Sequence, residues 1–119
     1  MVLVDTSVWV SHLRRHNLRL ENLLSFEFVY CHPLIIAELA CGHLNNRREI
    51  LLSLQELPSV KLATDEDILV FIEKHSLYGK GLGVIDIHLL ASCMLSHLSL
   101  WTEDKSLQKA ADRLGIFYR

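Results

Sequence analysis

The feature that most constrains this chain stands at its start, where Val2, Leu3 and Val4 form an unbroken apolar run closed by Asp5. A strand with one wet face alternates apolar and polar residues, whereas a strand covered on both faces does not. The run therefore predicts a short central strand of a parallel sheet, with a carboxylate at its carboxyl end. Parallel neighbours must be joined by crossovers, usually helices, so the rest of the chain should alternate between the two.

Thr6 or Ser7 can cap a segment in which Trp9, Val10 and Leu13 recur at helical spacing before Arg14 and Arg15. Leu20, Leu23 and Leu24 mark a further apolar helix, and residues 28–31 read as a second strand. Pro33 fits a first helical turn, with Ile36, Leu39, Ala40 and Leu44 as the stripe and Gly42 weakening the far end; residues 45–54 read as another helix. Pro58 precedes a brief strand at 60–63. Thr64, followed by Asp65, Glu66 and Asp67, makes a capping box with an acidic first turn for a helix reaching to about Tyr78. The flexible GKGLG of residues 79–83 leads into an apolar helix over 84–97, a strand over 98–101, a helix over 105–114 and a last short strand at 116–118. Strands separated by helices predict right-handed crossovers and an open three-layer α/β/α sandwich, expected as a single domain over residues 1–119.

Composition narrows the function classes. Half of the residues are apolar and 22% are charged, with mean hydropathy +0.25, which suits a chain with a real core and excludes intrinsic disorder. No stretch approaches the roughly 18 apolar residues that span a bilayer, and the first residues carry no basic segment leading into an apolar run, so a cytoplasmic protein without a membrane partner is expected. With 12 Lys and Arg against 14 Asp and Glu, the net charge of −2 announces no overall basic field, and a nucleic-acid partner would have to be bound locally. Cys31, Cys41 and Cys93 are odd in number and unrelated in spacing, which fits reduced, mostly buried thiols. CxxC, HExxH and GxSxG patterns are all absent, so zinc and serine hydrolases have little support. GKGLG lacks the GxxxxGK[ST] of a phosphate cradle and reads instead as a mobile loop at the mouth of a site.

Most of the acids have an ordinary explanation: Glu66, Asp67 and Glu73 sit on a solvated helix, and Asp112 is within reach of Lys109. Asp5, Glu38, Asp86 and Asp104 do not. Asp5 ends one apolar strand and Asp104 follows another, the sheet edge at which open α/β folds bind ligands. Glu38 lies in LIIAELACG and Asp86 in GVIDIHLL, with no cation three or four residues away on either helix. A buried carboxylate without a partner is expensive. Four in this pattern point to a hard divalent cation, Mg²⁺ or Mn²⁺, held by oxygens.

The runs VLVDTSVWV, PLIIAELACG, GVIDIHLLAS and LWTEDKSL, in this order across essentially the whole chain, resemble those of PIN-domain proteins, and within them most closely the VapC toxins of toxin-antitoxin pairs. The resemblance implies a Rossmann-like sandwich with strand order 3-2-1-4-5. It also implies a metal-dependent endoribonuclease site in which Asp5, Asp86 and Asp104 hold Mg²⁺ or Mn²⁺ and Glu38 acts on the attacking water, directly or through a second metal. Products with 5′-phosphate and 3′-hydroxyl ends are implied, with a structured RNA, transfer RNA or a ribosomal RNA loop, as substrate. A VapB-like antitoxin, homodimers and larger assemblies with the antitoxin, and contact with operon DNA only through the antitoxin belong to the same expectation.

Thr6, Ser7 and Thr102 lie beside these acids, where they could bond a carboxylate or a phosphate, or serve as caps and turns. Setting the four acids aside, 10 of the 14 remain against 12 cations, so the remaining surface is slightly basic. Arg14, Arg15, Arg19, Arg47, Arg48, Lys80 and Lys105 are the candidate phosphate contacts. Tyr78 or Trp9 could stack on a base, Trp9 being the better core residue. Leu20, Leu23, Leu24, Ile50, Leu51 and Leu54 are candidates for a dimer or antitoxin surface, or for the core. Two other classes compete: a Mg-dependent phosphotransfer or phosphatase-type domain, which also places an Asp after its first strand, and a non-catalytic PIN-like interaction module. The first lacks DxDx[TV] and paired acids, and the second usually loses one of the four carboxylates, all present here.

Overall fold

A computed structural model of the chain describes residues 1–119. Its centre is β1 (Val2–Val4), in which every residue is buried. Successive strand side chains point to opposite faces, so this burial requires cover on both sides of the sheet, and the three-layer arrangement follows. β2 (Val29–Tyr30) and β3 (Ser99–Trp101) flank β1 in parallel, with Val2 opposite both Val29 and Ser99 and Val4 opposite Trp101.

The two outermost expected strands shrink to single bridges. Ser59 pairs with Cys31 and Phe117 with Leu100, both in parallel. The order across the sheet is therefore the expected 3-2-1-4-5, with three strands and two bridging segments. Beyond Ser59 the ladder stops because the Lys61 N–H is taken by the Ser96 hydroxyl (2.8 Å) and not by a strand neighbour. Short edges of this kind leave little backbone exposed for unwanted pairing.

Seven helices connect and cover the strands: α1 (Thr6–Arg14), α2 (Leu18–Ser25), α3 (Pro33–Cys41), α4 (Arg47–Gln55), α5 (Asp65–His75), α6 (Val84–Ser96) and α7 (Lys105–Arg113). Local chemistry sets their ends. The Asn17 side chain accepts from the Leu20 N–H at the start of α2, and Thr64 and Asp67 close a reciprocal capping box on α5. α4 starts two residues later than expected because Asn46 is left-handed (φ 55°), and α5 stops at His75, short of Tyr78, because Ser76 is left-handed too (φ 52°). Gly42 ends α3 before Leu44. α6 is the most buried helix, with Ile87 and every residue from Leu89 to Cys93 inside. No helix is long and apolar enough to cross a membrane.

Other expectations are amended by packing. Leu20 and Leu54 belong to the core, while Leu23, Leu24, Ile50 and Leu51 pack half-buried against it. Cys31 and Cys93 are buried, and burial pushes their thiols up to about 11 and about 12, whereas Cys41 is exposed. Asp112 pairs with Arg119 and not with Lys109.

His32 caps α3 from inside the core. Its Nδ1 accepts from the Leu34 N–H (3.0 Å), which leaves the proton on Nε2, a buried donor without a partner. Burial, and then the neighbouring His88, lowers its pKa from 6.5 to about 4. Below pH 6.5 the unfolded chain takes up a proton that the folded chain refuses, so stability falls as pH drops towards 4. Between pH 6.5 and 4.5 the loss from this group is about 2 kcal/mol. Urea unfolding of His32→Asn, which keeps an acceptor for the cap and cannot titrate, should show a correspondingly smaller loss over that range; an equal loss would remove His32 as its source.

Candidate active site

The parallel pairing of β1 and β3 brings two strand ends together. The Asp5 N–H donates to the Trp101 carbonyl (2.9 Å), so Asp5 and Thr102 emerge side by side at the carboxyl edge of the sheet. Asp5 Oδ2 accepts from Thr102 Oγ1 (2.7 Å) and from Ser7 Oγ (2.9 Å). Thr102 Oγ1 also accepts from the Asp104 N–H (3.1 Å), and Ser7 Oγ from the Glu103 N–H (3.0 Å). Ser7 is thus not a helix cap: Asp5 occupies that position, and the hydroxyls of Thr6 and Ser7 serve carboxylates instead.

The other three acids reach the same edge from helix starts and from α3. Asp104 caps α7, its Oδ1 accepting from the Leu107 N–H (2.9 Å). Asp86 lies in the first turn of α6, its Oδ2 accepting from the Gly83 N–H (3.0 Å). Glu38 projects from α3, its Oε1 accepting from Thr6 Oγ1 (2.6 Å). Each carboxylate therefore has one oxygen fixed by the fold, and its second oxygen has no protein partner.

Asp86 lies within reach of the charges of the other three. Asp86 is pushed above the usual carboxylate range, first by burial and then by the charges of Asp5, Asp104 and Glu38, with only the Gly83 N–H acting the other way. No Lys, Arg or His pairs with any of them, since the chain's two ion pairs are His16 with Glu21 and Arg119 with Asp112. The side chains do not close into a ready cage of three ligands. Four like charges, tied to separate donors, should not. The donor set is nonetheless the right one for a hard divalent ion, because Mg²⁺ is satisfied by one or two carboxylates and keeps several waters.

From Thr6 and Glu38 a cleft of about 520 Å³ opens between α1 and the end of α3, past Val10, Leu13 and Arg14 to Asn46 and Ile50. Arg14 is the one expected phosphate contact that lines it. Arg19 lies over the rings of Tyr118 (4.5 Å) and Trp101 (5.3 Å), and Arg47 donates to the Ala40 carbonyl (2.9 Å), so both have structural work. Arg15, Arg48 and Lys105 are exposed, Trp9 is core and Tyr78 is exposed. In GKGLG, Gly83 is tied to Asp86. Sequence reasoning missed Gln108, whose side chain donates to the Thr102 carbonyl (2.9 Å) and holds the residue that holds Asp5. Its position one turn after Asp104 was the available signal.

Comparison with known proteins identifies the family and the fold. Residues 2–113 match the PIN domain. The chain belongs to the PIN-domain family. Ribonuclease VapC32 from two strains of Mycobacterium tuberculosis is 40% identical over 117 residues, covering 98% of this chain and 94% of the relative. Among solved structures, FitAcB from Neisseria gonorrhoeae superposes with TM-score 0.61 at 25% identity, covering 94% of each chain. PAE2754 from Pyrobaculum aerophilum superposes at 0.64 with 16% identity, covering 92% of this chain and 78% of the other, a likeness of PIN fold alone.

In this PIN domain the acid centre opposes folding. Asp86→Asn keeps an oxygen for the Gly83 N–H and removes one of four like charges, so thermal unfolding at pH 7 should shift upward by a few degrees. A lower melting temperature would mean that the Asp86 charge is compensated within the chain.

Proposed function

We propose that this chain is a metal-dependent endoribonuclease of the VapC toxin type, with Asp5, Glu38, Asp86 and Asp104 as its working residues and Mg²⁺ or Mn²⁺ as its cofactor. The observation that carries the reading is four converging carboxylates without a cationic partner, each with one oxygen fixed and one free. Identity of 40% along nearly the whole length of Ribonuclease VapC32 supports RNA as the substrate class.

The free oxygens of Asp5, Asp86 and Asp104 would hold the ion, with Glu38 beside them. A divalent ion there supplies charge relief on the phosphoryl oxygens and lowers the pKa of a bound water. The chain's residues do the rest. Thr102 and Ser7 donate to Asp5 and so hold it in one orientation. Thr6 does the same for one oxygen of Glu38 and leaves the other to accept a proton from the attacking water. Cleavage between phosphorus and the 3′ oxygen would leave 5′-phosphate and 3′-hydroxyl ends. A structured RNA, transfer RNA or a ribosomal RNA loop, is the proposed target. A VapB-like antitoxin is the proposed inhibitor, with homodimers and larger complexes as the proposed assemblies and the cytoplasm as the proposed location.

The test is incubation of purified protein, freed of any antitoxin, with total RNA in Mg²⁺ or Mn²⁺ and sequencing of new 5′ ends. Discrete cuts should appear, vanish with EDTA, and fall by at least about a hundredfold in Asp5→Asn while that variant stays folded. Cuts that survive in Asp5→Asn, or intact RNA with a preparation that binds the metal, would overturn the reading.

A further inference from the structure

A second charged place, opposite in sign to the acid centre, lies on the flank of α7. Leu77, Lys80, Ser106, Lys109, Ala110 and Arg113 line a pocket of about 320 Å³. Half of these residues are cations and none is an acid. Leu77 and Ala110 are buried, while the three cations are exposed. No carboxylate pairs with any of them, and Asp112, the neighbour of Arg113, is engaged by Arg119.

Two features hold the pocket in shape. Gly81 is left-handed (φ 74°), and a Cβ there would meet Ser106 Oγ at 3.3 Å, so the loop lies against the first turn of α7 and sets Lys80 beside it. Arg113 donates through Nη2 to the His75 carbonyl, which fixes its guanidinium and leaves its other N–H donors free. His75 is itself held below the usual imidazole range, by burial and then by the charges of Lys74 and Arg113, as a local positive field requires.

Both walls of the pocket run to the acid centre. α7 is capped by Asp104, and Lys109 and Arg113 stand about 8 and about 14 Å from that cap along its axis. The loop ends at Gly83, which donates to Asp86, and at most about 10 Å of chain separates Gly83 from Lys80. Lys109 and Arg113 are one turn apart, about 6 Å, an interval comparable to that between neighbouring phosphates of an extended strand.

We infer that this pocket binds the phosphate backbone of the RNA substrate beside the point of cleavage. The inference rests on the nuclease reading. RNA is favoured over an acidic protein segment because both cationic walls start at residues of the cutting centre, so a strand held there has to leave past them.

The test measures binding of a single-stranded RNA from the cleaved target against salt, using Asp5→Asn so that the RNA stays intact. Adding Lys80→Gln, Lys109→Gln and Arg113→Gln together should make the slope of log affinity against log salt shallower by about 2, at about 0.7 for each phosphate no longer neutralised. The charge-keeping set Lys80→Arg, Lys109→Arg and Arg113→Lys should retain the original slope, which separates loss of charge from loss of fold. An unchanged slope in the Gln set, with RNA cleavage intact in the parent chain, overturns the pocket as an RNA site and leaves it to an acidic protein segment. A parent chain that neither binds nor cuts RNA overturns the nuclease reading itself.

Discussion

The parallel pairing of β1 with β3 is the contact on which the remainder of the site depends. It is short, yet it places Asp5 and Thr102 at one edge, and the Thr102 hydroxyl then bonds both the Asp5 carboxylate and the Asp104 N–H. One buried side chain thereby sets the position of two of the four acids. Val2, Leu3 and Val4 keep the strand where it is because both of its faces are covered. This strand end is also the point at which the order of the sheet reverses, so the crevice beside it is a natural place for a ligand.

The acids at that edge are positioned by a common device. Each has one oxygen tied to a backbone N–H or a hydroxyl close by, which fixes the direction of the other. The arrangement costs stability, since burial and the charges of Asp5, Asp104 and Glu38 disfavour the Asp86 carboxylate, and no Lys or Arg relieves it. A chain retains such a cluster only where something outside it supplies positive charge. The donor chemistry suits a hard cation, and preorganised carboxylates would lower the entropy that such an ion must overcome.

Much of this was legible in the sequence, for reasons that differ from element to element. β1 could be read because a short unbroken apolar run closed by an acid at the start of the chain fits a strand covered on both faces, and α5 because Thr64 and Asp67 announce its start. The strand order and the four acids came with the ordered motifs, and the bridges at Ser59 and Phe117 preserve that order. What could not be read were distant partners and single left-handed residues. Ser96 stops the ladder at Lys61, left-handed Asn46 and Ser76 move helix ends, and Arg19 is claimed by the rings of Trp101 and Tyr118. The roles of Ser7 and Gln108 depend on the approach of β1 to β3, which no local pattern encodes.

Charge distribution resolves the tension between a net charge of −2 and a polyanionic substrate. Four of the acids stand at one edge of the sheet, where a divalent ion would offset part of their charge and turn its own positive charge towards a phosphate. Others are occupied locally: Asp67 in the capping box of α5, Glu103 by Ser11, Glu21 by His16 and Asp112 by Arg119. Within a Debye length, about 8 Å at physiological salt, an approaching strand senses the nearest charges far more than the total. Beside α7 those charges are Lys80, Lys109 and Arg113. The chain can therefore stay weakly acidic as a whole, which limits indiscriminate attraction to nucleic acid, and still offer phosphate a positive path where the carboxylates stand.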